Sequence, residues 1–316
     1  MMKKSTIQFQ KGLSFSAFMT DYGTETQCFE ALVKMRWPSG FECPHCGSQA
    51  YCRLKQRSTL FQCNDCHFQA SVMAGTIFHS TKLPLTKWFL AIYLMTQSKN
   101  GISQLELARQ VGVSANTGAK LYHKLAQVML ERDMDKPLSH KVEIDDAYWG
   151  GKKKGKRGRG SKGKTPFIAA VEKDEEGHPQ RIKLHVVDGF KKVELKQWTK
   201  KHLQGGMAVI SDGLSCFRGI QEAGYEHKVC IVGNSRNPQK TAPFNWVNTV
   251  LGNLKTAMAG TFHKLSSLHL ARHLAIFQYR FNRRFVLQDM LPRLLFVSLR
   301  TPPMPYRLLK LAENCW

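Results

Sequence analysis

The stretch VEIDDAYWGGKKKGKRGRGSKGK (142–164) joins two halves of opposite character. In the first half apolar and acidic residues alternate as in a half-buried β-strand, so that Glu143 and Asp145 share one face and Asp146 lies on the other. The second half, residues 152–164, contains eight Lys or Arg and four Gly. A solvated linker has a similar composition. Paired acids among apolar neighbours need another explanation, and the rest of the chain has to supply it.

The 316-residue chain is strongly basic, with 47 Lys and Arg against 23 Asp and Glu and a net charge of +24. A positive charge of this size indicates a polyanionic partner and says little about the fold. Nucleic acid is the commonest polyanion. A basic protein without such a partner is the alternative.

The start, MMKKSTIQFQKG, lacks the apolar segment of a secretory signal, and the apolar run Trp88–Met95 is too short to span a bilayer. We therefore expect a soluble, cytoplasmic protein.

Composition divides the chain into three blocks. Residues 1 to about 80 hold six of the nine cysteines. Residues from about 82 to 135 carry apolar side chains at helical spacing without strand alternation. From about residue 138 onward, short β runs alternate with helical segments, which predicts an α/β domain with a mixed sheet. These runs are KVEIDDAYW, FIAAVEK, IKLHVVD, MAVISDG and HKVCIV.

Two C-x-x-C knuckles form the strongest local motif. Cys43 and Cys46 bound the first, Cys63 and Cys66 bound the second, and sixteen residues separate them. This spacing is typical of a tetrahedral four-cysteine zinc site, and the intervening AYCRLK and TLFQC predict the hairpin of a zinc ribbon. Because the protein supplies all four ligands, the metal would be structural. A redox pair or chance knuckles are the alternatives, and the spare ligand types nearby are Cys52, His45 and His67.

The segment ISQLELARQVGVSANTGAKLYHKL (102–125) predicts two helices separated by a turn. Ser103 and Glu106 have the spacing of a capping box, Gly112 lies in the turn, and Ser114 caps the second helix. Two short helices joined in this way suggest a helix-turn-helix, whose second helix enters the major groove of DNA. An ordinary packed helix pair is the alternative. The candidate DNA-contacting residues at the start of the second helix are Asn116, Thr117 and Lys120.

Two aspartates accompany apolar strands in the third block. Asp145 lies within VEID, and Asp212 follows the strand of MAVISDG, where α/β domains present functional side chains. Carboxylates from separate strands repel one another unless a cation lies between them, so the pair is a candidate Mg²⁺ site for phosphodiester chemistry. The alternative for Asp212 is an ordinary turn residue, since Asp is common in S-D-G turns.

The segment FNWVNTVLGNLKTAMAGTFH (244–263) predicts a helix with one apolar stripe facing the core. Asn248 and Lys255 share a face beside that stripe, with Gly252 between them. A glycine inside a helix costs about 1 kcal/mol relative to alanine, and clearance for a metal or a phosphate would explain it. Alternatively, Asn248 and Lys255 are ordinary solvated helix residues. The stripe consists of Val247, Val250, Leu251, Leu254 and Met258.

In order and spacing these motifs resemble the bacterial insertion-sequence transposases of the D-D-E superfamily, in the branch with an N-terminal zinc ribbon. The resemblance covers about residues 25 to 285 and implies an N-terminal zinc ribbon and an α/β ribonuclease H-like catalytic domain. With the helix-turn-helix predicted from residues 102–125, we expect a multidomain chain. It is carried by RWPSGFECPHCGS, FQCNDCHFQASVMAGTIF, VEIDDAYWGGK, VISDG, WVNTVLGNLK, GTFH and FQYRFNRR.

The resemblance implies that Asp145 and Asp212 are the first two catalytic acids. The third position, usually Glu seven residues before a Lys, is occupied by Asn248, with Lys255 as that Lys. An Asn carbonyl oxygen can bind Mg²⁺, although it removes one negative charge from the site. We therefore interpret the set as D-D-N-K, and the lesser candidates are Asn253, Glu143 and Asp146.

The implied activity is that of a transposase, which binds the terminal inverted repeats of its element and catalyses DNA cleavage and strand transfer with Mg²⁺ or Mn²⁺. It would act as a homo-oligomer on double-stranded DNA, without a membrane partner. The basic loop would contact DNA phosphates without reading sequence, through Lys152, Lys153, Lys154, Arg157 and Arg159.

Two alternatives remain: a non-catalytic DNA-binding regulator in which Asn248 marks lost chemistry, and a nuclease without strand transfer.

We expect four domains along the chain. They are an N-terminal segment with the zinc ribbon (1–80), the helix-turn-helix (81–136), the catalytic domain (137–290) and a C-terminal tail (291–316).

Overall fold

The computed structural model describes residues 11–54, 57–134, 136–150, 163–231, 244–262 and 265–311. These residues form two compact units, one within Met1–Val128 and Arg284–Leu311 and the other within Met129–Arg283. The predicted DNA-contacting residues of the basic loop, at positions 152 to 159, lie outside the described residues. No helix in the described ranges is both long enough and apolar enough to cross a membrane.

The first unit begins with two helices and a small antiparallel sheet. The hydroxyl of Ser14 caps α1 (Phe15–Tyr22), and a capping box of Thr24 and Gln27 starts α2 (Glu25–Arg36). The sheet has the order β1-β2-β3. Its strands are β1 (Tyr51–Leu54), β2 (Arg57–Cys63) and β3 (Gln69–Ser71), and the β1–β2 hairpin confirms the predicted zinc-ribbon strands.

Three helices follow, α3 (Leu85–Gln97), α4 (Gln104–Val111) and α5 (Ala115–Met134). The Ser103 hydroxyl accepts from the Glu106 N–H at 3.1 Å, whereas the Glu106 carboxylate accepts from Arg109 and Gln110. Gly112 ends α4 with a φ of +69°, the left-handed conformation that glycine adopts at little cost. The two predicted helices with a turn at Gly112 are therefore present.

The second unit is built around a mixed five-stranded sheet of order β6-β5-β4-β7-β8. β5 pairs antiparallel with β4 and β6, while β7 runs parallel to both β4 and β8. This arrangement confirms the predicted α/β domain with a mixed sheet. The elements are β4 (Lys141–Trp149), β5 (Thr165–Lys173), β6 (Pro179–Val186), α6 (Lys192–His202), β7 (Ala208–Ser211), α7 (Arg218–Glu222), β8 (Glu226–Val229), α8 (Trp246–Thr261) and α9 (Leu270–Phe281).

Each face of this sheet is covered by helices. α8 and α9 pack on one face around Ala147, Phe167 and Ala169, and α6 and α7 pack on the other face around Ile144 and Ile168. The predicted apolar stripe of α8 is buried as expected, because its five residues recur at helical spacing toward the sheet. The resulting three-layer domain, α/β/α, is consistent with a ribonuclease H-like fold.

The last described helices, α10 (Met290–Ser298) and α11 (Tyr306–Leu311), belong to the first unit. The Arg36 guanidinium donates to the Leu299 carbonyl at 2.7 Å. The Gln97 side-chain amide donates to the Leu287 carbonyl at 3.2 Å. Residues 284–311 therefore complete the packing of α2 and α3.

Candidate active site and metal centre

The register of two parallel strands places Asp145 beside Asp212. Ile144 of β4 lies opposite Ser211 of β7, and the next residue in each strand direction is an aspartate. Parallel strands advance in the same direction, so both carboxylates reach the same edge of the sheet. Oxygens of Asp145, Asp146 and Asp212 all lie within 4.8 Å of one another. The sheet thus gathers three acids from two strands.

Burial and neighbouring negative charge together raise the pKa of Asp145 to about 7. Burial is the largest cause, followed by the negative charges of Asp212 and Asp146. The Asp146 N–H, which donates to Asp145 Oδ1 at 2.8 Å, and the Lys255 ammonium act in the opposite direction. Three clustered carboxylates offer the oxygen ligands that Mg²⁺ prefers, and a divalent cation would relieve their repulsion.

The turn after β7 depends on glycine. Asp212 Oδ1 accepts from the Leu214 N–H at 3.0 Å, which closes a short loop around Gly213. Gly213 has a φ of +87°, and a Cβ added there would lie 2.6 Å from Cγ1 of Val229. A larger residue would strain this loop and displace Asp212, so the S-D-G turn orients the acid as well as ending the strand.

Asp146 belongs to the acidic cluster, although strand alternation predicted that its side chain would lie on the opposite face of β4 from that of Asp145. Its carboxylate nevertheless lies with those of Asp145 and Asp212. β7 ends at Ser211, so no strand separates the two faces of β4 at this point on that side. The sequence shows Asp145 and Asp146 as adjacent acids, but strand alternation alone does not predict that their carboxylates lie together.

Glu143 lies outside the acidic cluster, although it shares the Asp145 face. Its side chain is fully buried and forms an ion pair with Lys173, with 2.8 Å between Oε1 and Nζ. Its other oxygen accepts from the Val247 N–H at 2.9 Å. The structure thus gives Glu143 two partners that the sequence did not indicate.

The exposed face of α8 carries the remaining candidates. Asn248 is exposed, and its amide nitrogen donates to the Phe244 carbonyl at 3.2 Å. Lys255 is exposed and lowers the pKa of Asp145. A Cβ added at Gly252 would meet no atom within 4 Å, so packing does not require glycine at this position. Asn253 is also exposed.

The four predicted zinc ligands converge at the end of the β1–β2 hairpin. Their sulfur atoms lie within 4.8 Å of one another, with 3.6 Å between Cys43 and Cys66 and 3.5 Å between Cys46 and Cys63. Tetrahedral Zn–S bonds of about 2.3 Å place sulfur atoms about 3.8 Å apart, so the set fits zinc. Backbone N–H groups of Cys66 and Asp65 lower the pKa of the Cys63 thiol to about 6.

The residues expected to contact DNA from α5 lie at its amino-terminal end. The Ser114 hydroxyl accepts from the Thr117 N–H at 3.3 Å and so caps the helix. Asn116 is exposed and Thr117 is partly exposed. Lys120 is exposed, with its ammonium 4.8 Å from the ring centre of Tyr306. That these three residues contact DNA remains a prediction.

Two regions of the chain, one containing the four cysteines and one containing the acidic cluster, match known protein families. Residues 137–282 match the family model described as the ISXO2-like transposase domain, and residues 23–69 match that of the transposase zinc-ribbon domain. Over 128 residues the chain is 29% identical to a Halobacterium salinarum protein named "Uncharacterized protein in transposable element ISH50". That alignment covers 40% of this chain and 42% of the relative, so it spans about two fifths of the relative's length.

Proposed function

We propose that this chain, which belongs to the insertion-sequence transposases with an N-terminal zinc ribbon, is a metal-dependent enzyme that cuts and joins DNA at the ends of its element. The observation that carries the proposal is the convergence of Asp145, Asp146 and Asp212 at one edge of the sheet. Such a cluster is costly without a cation, and active sites are where such costs are retained.

Asp145 and Asp212 would hold the metal as anionic ligands, and Asp146 lies close enough to add a third carboxylate. The carbonyl oxygen of Asn248 would approach from α8 as a neutral ligand. When bound, Mg²⁺ or Mn²⁺ supplies the positive charge that activates water and stabilises the leaving oxygen in phosphodiester hydrolysis. Lys255, on the same helix, would contact a phosphate of the DNA strand being cut.

Hydrolysis at the end of the element leaves a 3′-OH on the DNA. In the second step that hydroxyl attacks a phosphodiester of the target, forming one new P–O bond and releasing the target strand's own 3′-oxygen. Hydrolysis breaks one phosphate ester bond with water, and strand transfer exchanges one ester bond for another. In both steps an incoming oxygen displaces an oxygen from phosphorus, so the same carboxylates and Lys255 serve each in turn. Joining two ends to one target would bring at least two copies of the chain onto the DNA.

DNA recognition would come from the first unit and from the basic loop. The zinc ribbon, with a structural zinc on its four cysteines, and the pair α4 and α5 would bind the terminal repeats in the cytoplasm. Asn116, Thr117 and Lys120 are the proposed base-contacting group. The loop residues would strengthen binding to any sequence through phosphates; they are Lys152, Lys153, Lys154, Arg157 and Arg159.

The test uses the zinc-loaded full chain and DNA that carries the ends of the element. With Mg²⁺ or Mn²⁺ we expect nicks at the element boundary and joined products, and with EDTA we expect binding without cleavage. The matched control is Asp212→Asn, which keeps the side-chain shape and removes the charge. A second candidate is a DNA-binding regulator, favoured by the neutral Asn248, and it would bind the ends without cutting under any divalent metal.

A further inference from the structure

Glu143 is a fully buried carboxylate beside the proposed metal site. It precedes Asp145 by two residues, so the two side chains leave the same face of β4. A buried carboxylate persists only when it is paired and hydrogen-bonded. Lys173, at the end of the neighbouring strand β5, supplies the opposite charge at 2.8 Å. The pair leaves the second oxygen of Glu143 available to another element.

That second oxygen reaches the amino-terminal end of α8. The Val247 N–H donates to Glu143 Oε2 at 2.9 Å, and Val247 is the second residue of the helix. N–H groups in the first turn of a helix have no partner within it, and Asn245 at the cap position makes no side-chain hydrogen bond to them. A carboxylate at this end also interacts favourably with the helix dipole. Glu143 is therefore a cap that β4 supplies to α8.

The same contact joins the two halves of the proposed site. β4 carries Asp145 two residues after Glu143, and α8 carries Asn248 one residue after Val247. A single hydrogen bond thus links the residue two positions before Asp145 to the residue next to Asn248. We propose that Glu143, with its charge balanced by Lys173, is a positioning residue that holds Asn248 and Lys255 opposite Asp145. Its catalytic consequence rests on the proposed function, whereas its structural role does not.

Two double variants separate the cap from the ion pair. Glu143→Gln with Lys173→Met removes both charges and keeps an acceptor for the Val247 N–H. Glu143→Leu with Lys173→Met removes the same charges and the acceptor as well. A control in the first unit is Glu25→Leu, which also removes an acceptor at the start of a helix, because Glu25 accepts from the Leu85 N–H of α3 at 2.8 Å.

The first measurement is hydrogen–deuterium exchange of the first turn of α8 in the zinc-loaded full chain. We expect the Gln variant to exchange like the parent, and the Leu variant to exchange about fivefold faster there, the usual effect of losing a cap. The second is Mn²⁺ binding by titration. Loss of support for a ligand typically weakens metal affinity about tenfold, which we expect only for the Leu variant.

The outcomes separate the two proposals. Parental exchange and Mn²⁺ affinity in the Leu variant would overturn the positioning role, and so would equal losses in both double variants, since the ion pair would then be what matters. Weaker Mn²⁺ binding in Glu25→Leu would show that any lost helix cap lowers metal affinity through general stability, and it would also overturn the positioning role. If the parent binds Mn²⁺ and the variants behave as expected, but the parent never cuts DNA, the proposed function fails and the positioning role stands.

Discussion

Asp145 and Asp212 lie side by side on the parallel strands β4 and β7, and burial together with the charge of Asp212 raises the pKa of Asp145 to about 7. Their proximity is unfavourable in the protein alone, because like charges close together repel one another. It becomes favourable once a divalent cation lies between them. The acidic cluster therefore destabilises the metal-free protein, and a bound divalent cation removes that cost.

We predict that Asp212→Asn makes the metal-free protein more stable, by on the order of 1 kcal/mol near neutral pH, because it removes a repulsive charge. The same change abolishes the rise in unfolding temperature that Mg²⁺ gives the parent. Thermal unfolding with EDTA and with Mg²⁺ measures both effects. A variant less stable than the parent in EDTA would contradict a repulsive acidic cluster.

Asn248 is expected to bind metal through its carbonyl oxygen. Asn248→Ala should lower cleavage by at least about tenfold, as the loss of a group near the metal typically does. Asn248→Glu should keep cleavage and lower the Mg²⁺ concentration needed for half-maximal rate, because it restores a third negative charge. The control is Thr256→Ala, at an exposed residue of the same helix. Cleavage at the parental rate by Asn248→Ala would show that Asn248 is not a ligand.

The zinc ribbon should hold one zinc per chain. Cys63→Ser removes one of four thiolates and is expected to release the metal and unfold the ribbon, since structural zinc contributes directly to folding. Cys52→Ser, at an exposed cysteine outside the cluster, should retain it. Metal analysis of both purified variants checks this. Zinc retained by Cys63→Ser would assign the fourth ligand to another residue.

The basic loop should supply affinity without specificity. Replacing all five of its predicted DNA-binding residues with Gln should weaken binding to end and unrelated DNA alike. The slope of log affinity against log salt should shrink by about 0.9 for each phosphate that the loop no longer neutralises. Binding titrations over a range of salt concentrations measure it. Weaker binding confined to the element's ends would mean that the loop reads bases. The residues are Lys152, Lys153, Lys154, Arg157 and Arg159.

Two adjacent histidines, whose ring centres lie 5.1 Å apart, should make the second unit sensitive to acid. Burial is the main cause that lowers the pKa of His185 to about 4 and that of His202 to about 2. The unfolded chain takes up these protons near pH 6.5, so stability is full above that value and falls as the pH drops below it. At pH 5 the loss is about 2 kcal/mol for each residue.

Denaturant unfolding at several pH values tests this. His202→Gln should flatten the decline in stability between about pH 6.5 and 5, because one of the two imidazoles no longer takes up a proton on unfolding. His178→Gln, at an imidazole that is 61% exposed, is the control. An unchanged slope in His202→Gln would mean that His202 already accepts its proton in the folded protein.

The sequence by itself determined the features that depend on local spacing. The two knuckles with Cys43, Cys46, Cys63 and Cys66 follow from tight turns, and the buried stripe of α8 follows from the helical period. Asp145 could be placed within an apolar strand, and Asp212 directly after another, from the pattern of apolar residues around them. Each of these patterns lies within a few residues, so it can be recognised without knowing what lies across the fold.

Only the tertiary structure decided which distant groups meet. Val247 follows Glu143 by 104 residues, and Leu299 follows Arg36 by 263, yet both pairs are hydrogen-bonded. Strand alternation placed Asp146 away from Asp145, whereas the early end of β7 allows their carboxylates to lie together. Local periodicity records which face a residue occupies. It does not record which side chain is buried against it, because that depends on how separate segments pack.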